Sequence, residues 1–426
     1  MTVNYQEAPR ACVRCLYTTW HPLGLVLDKE GVCSGCRVHE EKQTLDWEAR
    51  WKQLESLISG YRRAKGDNYD CIVPVSGARD SFFIVHMVKK LDLKPLLVTY
   101  NKLYNTELGI RNLARLRTVF DCDLVTFTVN PDTVKKLTRA SLRRLGSVYW
   151  HCLAGQTVFP AQCAVRFHVP LIIWGAHQGL DQVGMFSHLH DVEMTRRYRK
   201  DHDLMGVEAE DLVSEFDHVK SGEVEPFVYP SYSAIRAAGV RGIYLGNYLP
   251  WDTKRQHEEM LRFYQYEAAP LPRTFDTCND VDSFVYSDVH DYLKFIKHGY
   301  GKVLDHAVRE LRWGRLTREE ASELVRKYQT REAERLDLFL NWIGMSERAF
   351  RWVADQHRNP ALWERDTSWQ WRMKRDLLTL PVDGAQREKA RLEFSESARF
   401  PETPSKRPEY SDAEYVCIGR GVPCGR

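Results

Sequence analysis

Apolar and polar positions alternate along the first half of the chain in a way that predicts helices and strands in turn. Apolar residues recur at helical spacing from Asp46 to Ala64, which predicts an amphipathic helix. Beyond it, short apolar runs predict strands over 69–75, 96–100, 124–129 and 171–174, and helical patterns between them cover 82–91, 105–120, 132–145 and 156–167. This alternation predicts an α/β fold with a doubly wound parallel sheet, which binds ligands beyond the carboxyl ends of its strands.

The pattern changes to helices alone after about Asp252. Thr317-Arg318-Glu319-Glu320 has the form of a capping box and predicts a helix running through Tyr328. From about Ala385 onward Glu, Arg, Ser and Pro dominate, and few apolar residues are left to anchor a core, so we expect a poorly ordered tail. We therefore divide the chain into a cysteine-containing segment, an α/β domain, a helical region for substrate or partner, and a tail, at 1–45, 46–255, 256–380 and 381–426.

Composition and charge exclude several classes of protein. The 426 residues carry 61 Lys and Arg against 58 Asp and Glu, a net charge of +3, so a basic coat for nucleic acid is not expected. The apolar runs are too short to span a bilayer, and the N-terminal residues show no secretory signal. We expect a cytoplasmic protein that binds neither membranes nor nucleic acid.

Four of the 11 cysteines form one pattern. The pairs Cys12-Val13-Arg14-Cys15 and Cys33-Ser34-Gly35-Cys36 have the spacing of a zinc ribbon, in which four thiolates surround one structural Zn²⁺. Cys33 also lies in a G-x-C-x-G sequence, the form of a glutaminase nucleophile elbow, but a thiol needed as a metal ligand does not suit that role. Cys417 and Cys424 can be read as a redox or persulfide-relay pair, or as two thiols on an unstructured tail.

The segment after the first predicted strand is the most informative one for function. A turn of small residues that leaves a strand and opens a helix exposes backbone N–H groups, and it forms an anion site. Ser76 and Ser81 add hydroxyl donors, Arg79 adds a positive charge, and Asp80 can hold the Mg²⁺ that phosphates require. The signatures of P-loop and dinucleotide-binding proteins are absent here. An ordinary polar turn is the alternative interpretation, since Ser, Gly and Asp favour turns.

This loop resembles the PP-loop of the N-type ATP pyrophosphatases, written S-G-G-x-D-S. Most of the chain, from about Cys12 to Lys374, resembles a diverged member of the N-acetyl sugar amidotransferase family of surface-polysaccharide and nonulosonic-acid biosynthesis. The stretches that carry this resemblance are the two CxxC pairs, 69–81, 95–101 with Thr106, Gly109, Asn112 and Leu113, 130–131, Lys136, Leu137, Arg139, 150–151, 170–175, 184–187, 248–252, 288–294, 299–301 and 305–306.

The resemblance implies an activity and its cofactors. Enzymes of this family use ATP to adenylate a sugar acetamido group and then replace its oxygen with nitrogen from ammonia, which a separate glutaminase supplies. It implies that the nucleotide lies on Ser76, Gly77, Ala78, Arg79, Asp80 and Ser81, with Mg²⁺ at Asp80. We expect Asp80 and Arg79 to act in catalysis, together with His177 and Asp181, which follow the predicted strand 171–174 at the edge where such a sheet binds ligands. A structural turn is the alternative for His177 and Asp181.

The sequence departs from the family pattern at several polar positions. Ala78 replaces the second glycine of the loop, Arg79 replaces a lysine, and Ala176 and Met205 stand where Glu and Arg are expected. These departures leave two other functions open. A PP-loop sulfur transferase, with a thioamide or thiolated nucleoside as product, fits the zinc ribbon and the spare thiols of Cys417 and Cys424. A weakened nucleotide-binding scaffold fits Ala78 and Ala176.

Overall fold

The computed structural model describes residues 3–63, 68–382, 399–403 and 415–417. The tail predicted over 381–426 therefore falls largely outside the described residues, and so does Cys424. Within 399–403, Phe400 is buried, and the carbonyl of Pro401 lies 2.7 Å from Nε2 of His257.

Five of the strands form one sheet in which every neighbouring pair is parallel, in the order β4-β2-β1-β5-β6. The strands of the described residues are β1 (Cys71–Pro74), β2 (Pro95–Tyr100), β3 (Tyr104–Thr106), β4 (Leu124–Phe127), β5 (Leu171–Trp174), β6 (Arg241–Tyr244), β7 (Trp363–Arg365), β8 (Trp371–Met373) and β9 (Tyr415–Cys417). In the sheet, Ile72 of β1 pairs with Leu96 of β2 and Ile172 of β5. The backbones of β3 and β9, and of β7 and β8, form two small antiparallel pairs.

The helices surround this sheet and make up the region that follows it. They are α1 (Ser34–Thr44), α2 (Trp47–Ser59), α3 (Arg79–Lys90), α4 (Glu107–Val119), α5 (Pro131–Leu145), α6 (Trp150–Phe167), α7 (Gln178–Asp181), α8 (Arg196–Tyr198), α9 (Ala209–Glu215), α10 (Ser221–Val224), α11 (Tyr232–Ala237), α12 (Thr253–Tyr264), α13 (Phe284–His298), α14 (Lys302–Arg312), α15 (Arg318–Gln329), α16 (Leu336–Ile343) and α17 (Glu347–Gln356). None of the described helices is long and apolar enough to cross a membrane.

Helices cover both faces of the sheet. Successive side chains of a strand point to opposite sides, so neighbouring residues of one strand pack against different helices. Cys71 and Val73 of β1 pack with apolar residues of α2, α3, α4 and α12 on one face. Ile72, between them, packs on the other face with Cys163 and Ala164 of α6. The expected α/β fold with a doubly wound parallel sheet is confirmed.

The predicted elements differ from the observed ones mainly at their ends. β6 was not predicted, because Arg241–Tyr244 offers only Ile243 and Tyr244 as apolar residues. α6 begins at Trp150 rather than at Gln156, although its first turns contain Gly155, a poor helix former. A Cβ at Gly155 would lie 2.5 Å from the ring of Tyr100, so the close packing of α6 on β2 requires glycine there.

The capping box at Thr317 is confirmed. Its side chain accepts from the backbone N–H of Glu320 over 3.2 Å, and the Glu320 carboxylate accepts from the N–H of Thr317 over 2.7 Å. The helix that it opens packs beside α14, and both helices share a buried core with the N-terminal cysteines. This contact explains how a cysteine segment with few apolar residues of its own is held against the rest of the chain.

Candidate functional site

The loop between β1 and α3 is held by hydrogen bonds to its own serines. The backbone N–H of Ser76 donates to Oγ of Ser81 over 2.7 Å, and the N–H of Ala78 donates to Oγ of Ser76 over 3.2 Å. The first-turn N–H groups of Arg79 and Asp80 follow at the N-terminus of α3, where a helix attracts anions. Ala78 at the N-cap offers no side-chain hydrogen bond, so no side chain caps the N-terminus of α3.

Close backbone contacts explain the glycine at position 77. A Cβ at Gly77 would lie 2.3 Å from the carbonyl oxygen of Gly109, and a Cβ at Gly109 would lie 2.4 Å from Cα of Asp282. Gly109 is in the first turn of α4, where its N–H donates to Oγ1 of Thr106 over 2.9 Å. Backbone thus packs directly against backbone at two places. The loop contacts the start of α4, and the start of α4 contacts the segment around Asp282.

Ala78 causes no strain in this loop. Its φ is −101° and its ψ is 169°, an extended conformation that every L-residue adopts. The second glycine of the S-G-G-x-D-S pattern is therefore not needed here for a left-handed φ. The replacement by alanine leaves the shape of the loop intact, and it gives no support to a weakened scaffold.

The two charged residues of the loop lie in different environments. Arg79 is 2% exposed, and its Nη1 donates to Oε1 of Gln256 on α12 over 2.8 Å. Its Nη2 also contacts the Asp80 carboxylate, whose side chain remains 49% exposed. The guanidinium thus faces the interior and ties α3 to α12, whereas Asp80 is accessible at the start of the helix.

Lys102 is a buried cation at the carboxyl end of β2 that sequence reasoning missed. Its Nζ lies 3.0 Å from Oδ2 of Asp282 and 2.9 Å from Oγ of Ser283. Burial alone would lower the pKa of Lys102, but the charge of Asp282 holds that pKa well above its ordinary value. The ammonium is therefore charged at neutral pH, and it anchors the segment that covers Gly109. The available signal was a lysine two residues after a predicted strand.

A second group of buried charges joins α13 to α14. Nζ of Lys302 lies 2.8 Å from Oδ1 of Asp288, and Nε of Arg273 lies 2.7 Å from Oδ2 of Asp291. Asp291 also accepts from the backbone N–H of Lys302. Burial raises the pKa of the Asp288 carboxyl despite the nearby ammonium. Asp288 and Asp291 therefore hold α13 against the start of α14 and against Arg273.

His177 follows β5 and lies among aromatic rings. Its Nδ1 accepts from the N–H of Gly179 over 3.1 Å, and the rings of Phe186, Tyr198 and Tyr244 lie 4.2 to 5.4 Å from its own, measured between centroids. Burial lowers the pKa of His177 to about 4, so the imidazole is neutral at neutral pH. Its Nε2 is buried and has no hydrogen-bond partner among the described residues.

Asp181 contacts the N-terminal segment. Its Oδ1 lies 2.5 Å from Nζ of Lys42 on α1, in an ion pair whose lysine is 7% exposed. The structure thus places His177 and Asp181 at the edge of the sheet where ligands are expected, but it gives each of them a structural contact there.

The other polar residues from the stretches that carry the family resemblance make separate contacts. Nδ1 of His151 lies 3.0 Å from the hydroxyl of Tyr100, and burial lowers the pKa of His151 to about 3. Tyr17 donates to Oδ1 of Asp305 over 2.7 Å, and Nδ1 of His306 lies 2.7 Å from Oγ1 of Thr274. Asp305 therefore joins the helical region to the N-terminal segment.

The four predicted zinc ligands lie together. The Sγ atoms of Cys12, Cys15, Cys33 and Cys36 all lie within 4.8 Å of one another and are buried. The Cys12–Cys36 and Cys15–Cys33 sulfur distances are 4.0 and 3.6 Å, which matches four ligands at about 2.3 Å from a tetrahedral Zn²⁺. The cluster can hold a metal such as zinc and is consistent with the expected ribbon.

Two arginines of the helical region contact this cluster. Nη2 of Arg312 donates to Sγ of Cys33 over 3.7 Å, and Nη1 of Arg318 donates to the carbonyls of Cys12 and Cys15 over 3.0 and 2.6 Å. Positive charge beside metal-bound thiolates offsets their negative charge. The donor set, its burial and these outer contacts together fit a structural metal site, with no position open for substrate.

Comparison with known proteins concerns the helical region. A family model described as "LPS biosynthesis protein WbpG-like, C-terminal domain" matches residues 262–377, which include α13 to α16 and the ion pairs of Asp288 and Asp291. No curated protein matches the chain. The family match confirms the resemblance of this chain to the N-acetyl sugar amidotransferase family of surface-polysaccharide biosynthesis.

Proposed function

We propose that this protein is an ATP-dependent amidotransferase that converts the acetamido group of an N-acetyl sugar, in nucleotide-linked form, into an acetamidino group. The observation that carries the proposal is the position of the loop 75–78. It follows β1, which lies between β2 and β5; the chain runs outward from β1 through β2 to β4 and then crosses back to β5 on the other side of β1. That switch point is where open α/β sheets bind their ligands. The WbpG-like match supports a sugar of surface-polysaccharide biosynthesis as the acceptor.

The residues of the loop have complementary tasks in this proposal. The N–H groups at the start of α3 bind the pyrophosphate part of ATP, and the accessible Asp80 carboxylate would hold Mg²⁺. A bound Mg²⁺ spreads the negative charge of the pyrophosphate. Arg79 contributes through the packing of α3 on α12, because its guanidinium faces Gln256. Lys102 and Asp282 hold the segment that packs on Gly109, and Gly109 in turn packs on Gly77.

The chemistry consists of two substitutions. The acetamido oxygen attacks the α-phosphorus of ATP and pyrophosphate leaves, which gives an O-adenylated imidate that carries a positive charge. Ammonia then adds to the imidate carbon, and AMP leaves with the former acetamido oxygen, so that the product is an acetamidinium. A site that excludes water protects the imidate from hydrolysis, which would regenerate the amide and waste ATP.

We propose that a separate glutaminase supplies the ammonia. Cys33, the nucleophile of the G-x-C-x-G sequence, is one of the four clustered cysteines, and its sulfur accepts from Arg312. The sulfur therefore has metal-binding partners instead of the strand-turn-helix setting that a nucleophile elbow needs.

The test follows the acetamido oxygen. The protein is incubated with Mg-ATP, ammonium and nucleotide-linked N-acetyl sugars whose acetamido oxygen is ¹⁸O. We expect ¹⁸O in AMP and a sugar that has exchanged oxygen for NH. Sulfur in the sugar, with sulfide as donor, would support the sulfur transferase, and ATP binding without any AMP would support the scaffold.

A matched pair of variants tests the role of the loop. Asp80→Asn should lower AMP formation at least about a hundredfold, since the metal ligand is lost. Asp92→Asn, an exposed carboxylate just beyond the other end of α3, is the control and should leave the rate unchanged. Equal rates of AMP formation in the two variants would show that the loop takes no part in the reaction.

A further inference from the structure

A groove lies between α5 and the C-terminal end of α16. It measures about 420 Å³, within the range of roughly 300–1,000 Å³ found for ligand pockets. One wall is a single face of α5, because its residues are spaced three or four apart, and the other is the last turn of α16 with the residue that follows it. The groove is lined by Asp132, Lys135, Lys136, Arg139, Asn341, Trp342, Ile343 and Gly344.

The α5 wall presents three cations to the groove. Nζ of Lys135 lies 3.7 Å from the carboxylate of Asp132, which is 82% exposed, and Nζ of Lys136 lies 2.5 Å from the carboxylate of Glu223. Such ion pairs at the surface are weak, so a phosphate can replace either carboxylate as a partner. Arg139 donates one N–H to the carbonyl of Ile343 over 2.5 Å, which fixes the guanidinium and leaves its other donors for a ligand.

The opposite wall presents an aromatic ring and an amide. The indole of Trp342 lies with its centroid 5.8 Å from Nζ of Lys135, and Tyr286 packs edge-on against it at 5.7 Å. Next to the indole, the groove is open at Gly344, where nothing lies within 4 Å of the position that a Cβ would take. Gly344 has a left-handed φ of +66°. Asn341, beside the indole, is exposed.

We propose that this groove binds a nucleoside diphosphate group. The two phosphates contact Lys135, Lys136 and Arg139, because adjacent cations on one helix face match adjacent phosphate charges. The base packs against Trp342, and the Asn341 amide hydrogen-bonds to its edge. The Asp132 carboxylate, released from Lys135, accepts from the ribose hydroxyls.

The groove begins near the edge of the sheet that holds the loop. α5 begins four residues after β4 ends, and the loop follows β1, with β2 between the two strands. At roughly 4.8 Å per strand, the carboxyl ends of β4 and β1 are about 10 Å apart. If the proposed function holds, a sugar attached to the diphosphate in the groove extends toward the loop. The binding of the diphosphate itself does not depend on that function.

The test measures binding of UDP, CDP, GDP and dTDP to the full chain by calorimetry, with inorganic pyrophosphate for comparison. We expect at least one nucleoside diphosphate to bind, and its Kd to rise at least about tenfold in Lys135→Gln/Lys136→Gln. The control Lys29→Gln/Lys52→Gln removes two exposed lysines elsewhere and should bind like the parent. Trp342→Leu should weaken the nucleoside diphosphate but leave pyrophosphate unchanged.

The same experiment separates this proposal from the proposed function. Asp80→Asn should bind the nucleoside diphosphate normally even where it forms no AMP. The groove is excluded if none of the four ligands binds, or if the double lysine variant binds as tightly as its control. It is also excluded if binding is lost in Asp80→Asn and ATP displaces the ligand, because the diphosphate then lies on the loop.

Discussion

Nη2 of Arg312 donates a hydrogen bond to Sγ of Cys33, and Nη1 of the same side chain donates to the carbonyls of Asp181 and Gln182 over 3.0 and 2.8 Å. One arginine therefore joins the cysteine cluster to the segment that follows β5. Ser34 extends this link, since its Oγ donates to the carbonyl of Val183 over 2.7 Å. Direct hydrogen bonds thus connect the cysteine cluster to the segment that follows β5.

Arg312→Gln should loosen both sides of this contact. The thiolates lose a neighbouring positive charge, so we expect zinc affinity to fall about 10- to 100-fold, the usual effect of removing an outer contact of a metal site. Competition with a chromogenic chelator measures this affinity. Arg326→Gln, which removes a half-exposed arginine of α15, is the control. An unchanged rate and extent of zinc release in Arg312→Gln would contradict the prediction.

Gly77→Ala should destabilise the protein more than Ala78→Gly, although the two variants change adjacent residues. The new Cβ at position 77 meets the backbone of Gly109, which has no side chain to move aside, so we expect a loss of about 1–3 kcal/mol in the free energy of unfolding. Ala78→Gly relieves no strain in the folded protein, and it increases the conformational freedom of the unfolded chain. We therefore expect the free energy of unfolding to fall by about 1 kcal/mol or less. Urea unfolding of both variants measures the difference.

If Ala78→Gly lowered the free energy of unfolding more than Gly77→Ala does, the steric need for glycine at position 77 would be contradicted. AMP formation gives a second measurement, because a displaced α4 also displaces the segment at Asp282. We expect the rate to fall in Gly77→Ala and to stay near that of the parent in Ala78→Gly.

The fold was accessible from the sequence because its signals are local. The apolar runs at 71–74 and 171–174 and the intervening helical patterns depend on residues close together in the chain. The spacing of Cys12, Cys15, Cys33 and Cys36 also predicted that they lie together, since two CxxC pairs are typical of a four-cysteine metal site.

The interior of the candidate site was not accessible in the same way. Lys102 meets Asp282 across 180 residues of sequence, and no pattern around either residue indicates the pairing. The side chain of Arg79 was expected to face phosphate, but its position beside Gln256 depends on where α12 packs. The sequence pattern drew attention to Ala78, which replaces a glycine, whereas the structure places the need for glycine at Gly77. That need comes from a close backbone contact with Gly109 of the distant helix α4, not from φ.

Lys102→Met should destabilise the protein strongly, because it leaves Asp282 buried without its cation. We expect a loss of about 3–5 kcal/mol in the free energy of unfolding. Lys102→Met/Asp282→Asn removes both charges and should recover a large part of this loss. Lys52→Met, which breaks the exposed pair with Glu48, should change stability by less than about 1 kcal/mol. A double variant no more stable than Lys102→Met would show that the lysine acts through packing, not through charge.

The stability of the protein should fall as the pH drops below about 6.5, and His177 should account for part of the loss. Burial lowers the pKa of His177 to about 4 in the folded protein, whereas an unfolded histidine titrates near 6.5. Between these values the unfolded chain binds a proton that the folded chain does not, so the free energy of unfolding decreases with falling pH. His177 should contribute about 2 kcal/mol of this decrease by pH 5.

His177→Asn isolates the contribution, because asparagine keeps an acceptor for the N–H of Gly179 but does not titrate. Urea unfolding at pH 7.5 and pH 5 should show a smaller decrease in this variant than in the parent. His168→Asn, which replaces an exposed histidine with a left-handed φ of 53°, is the control and should keep the parent's decrease. If His177→Asn also keeps it, His177 is protonated in the folded protein, and the enclosure by Tyr198 and Tyr244 does not hold in solution.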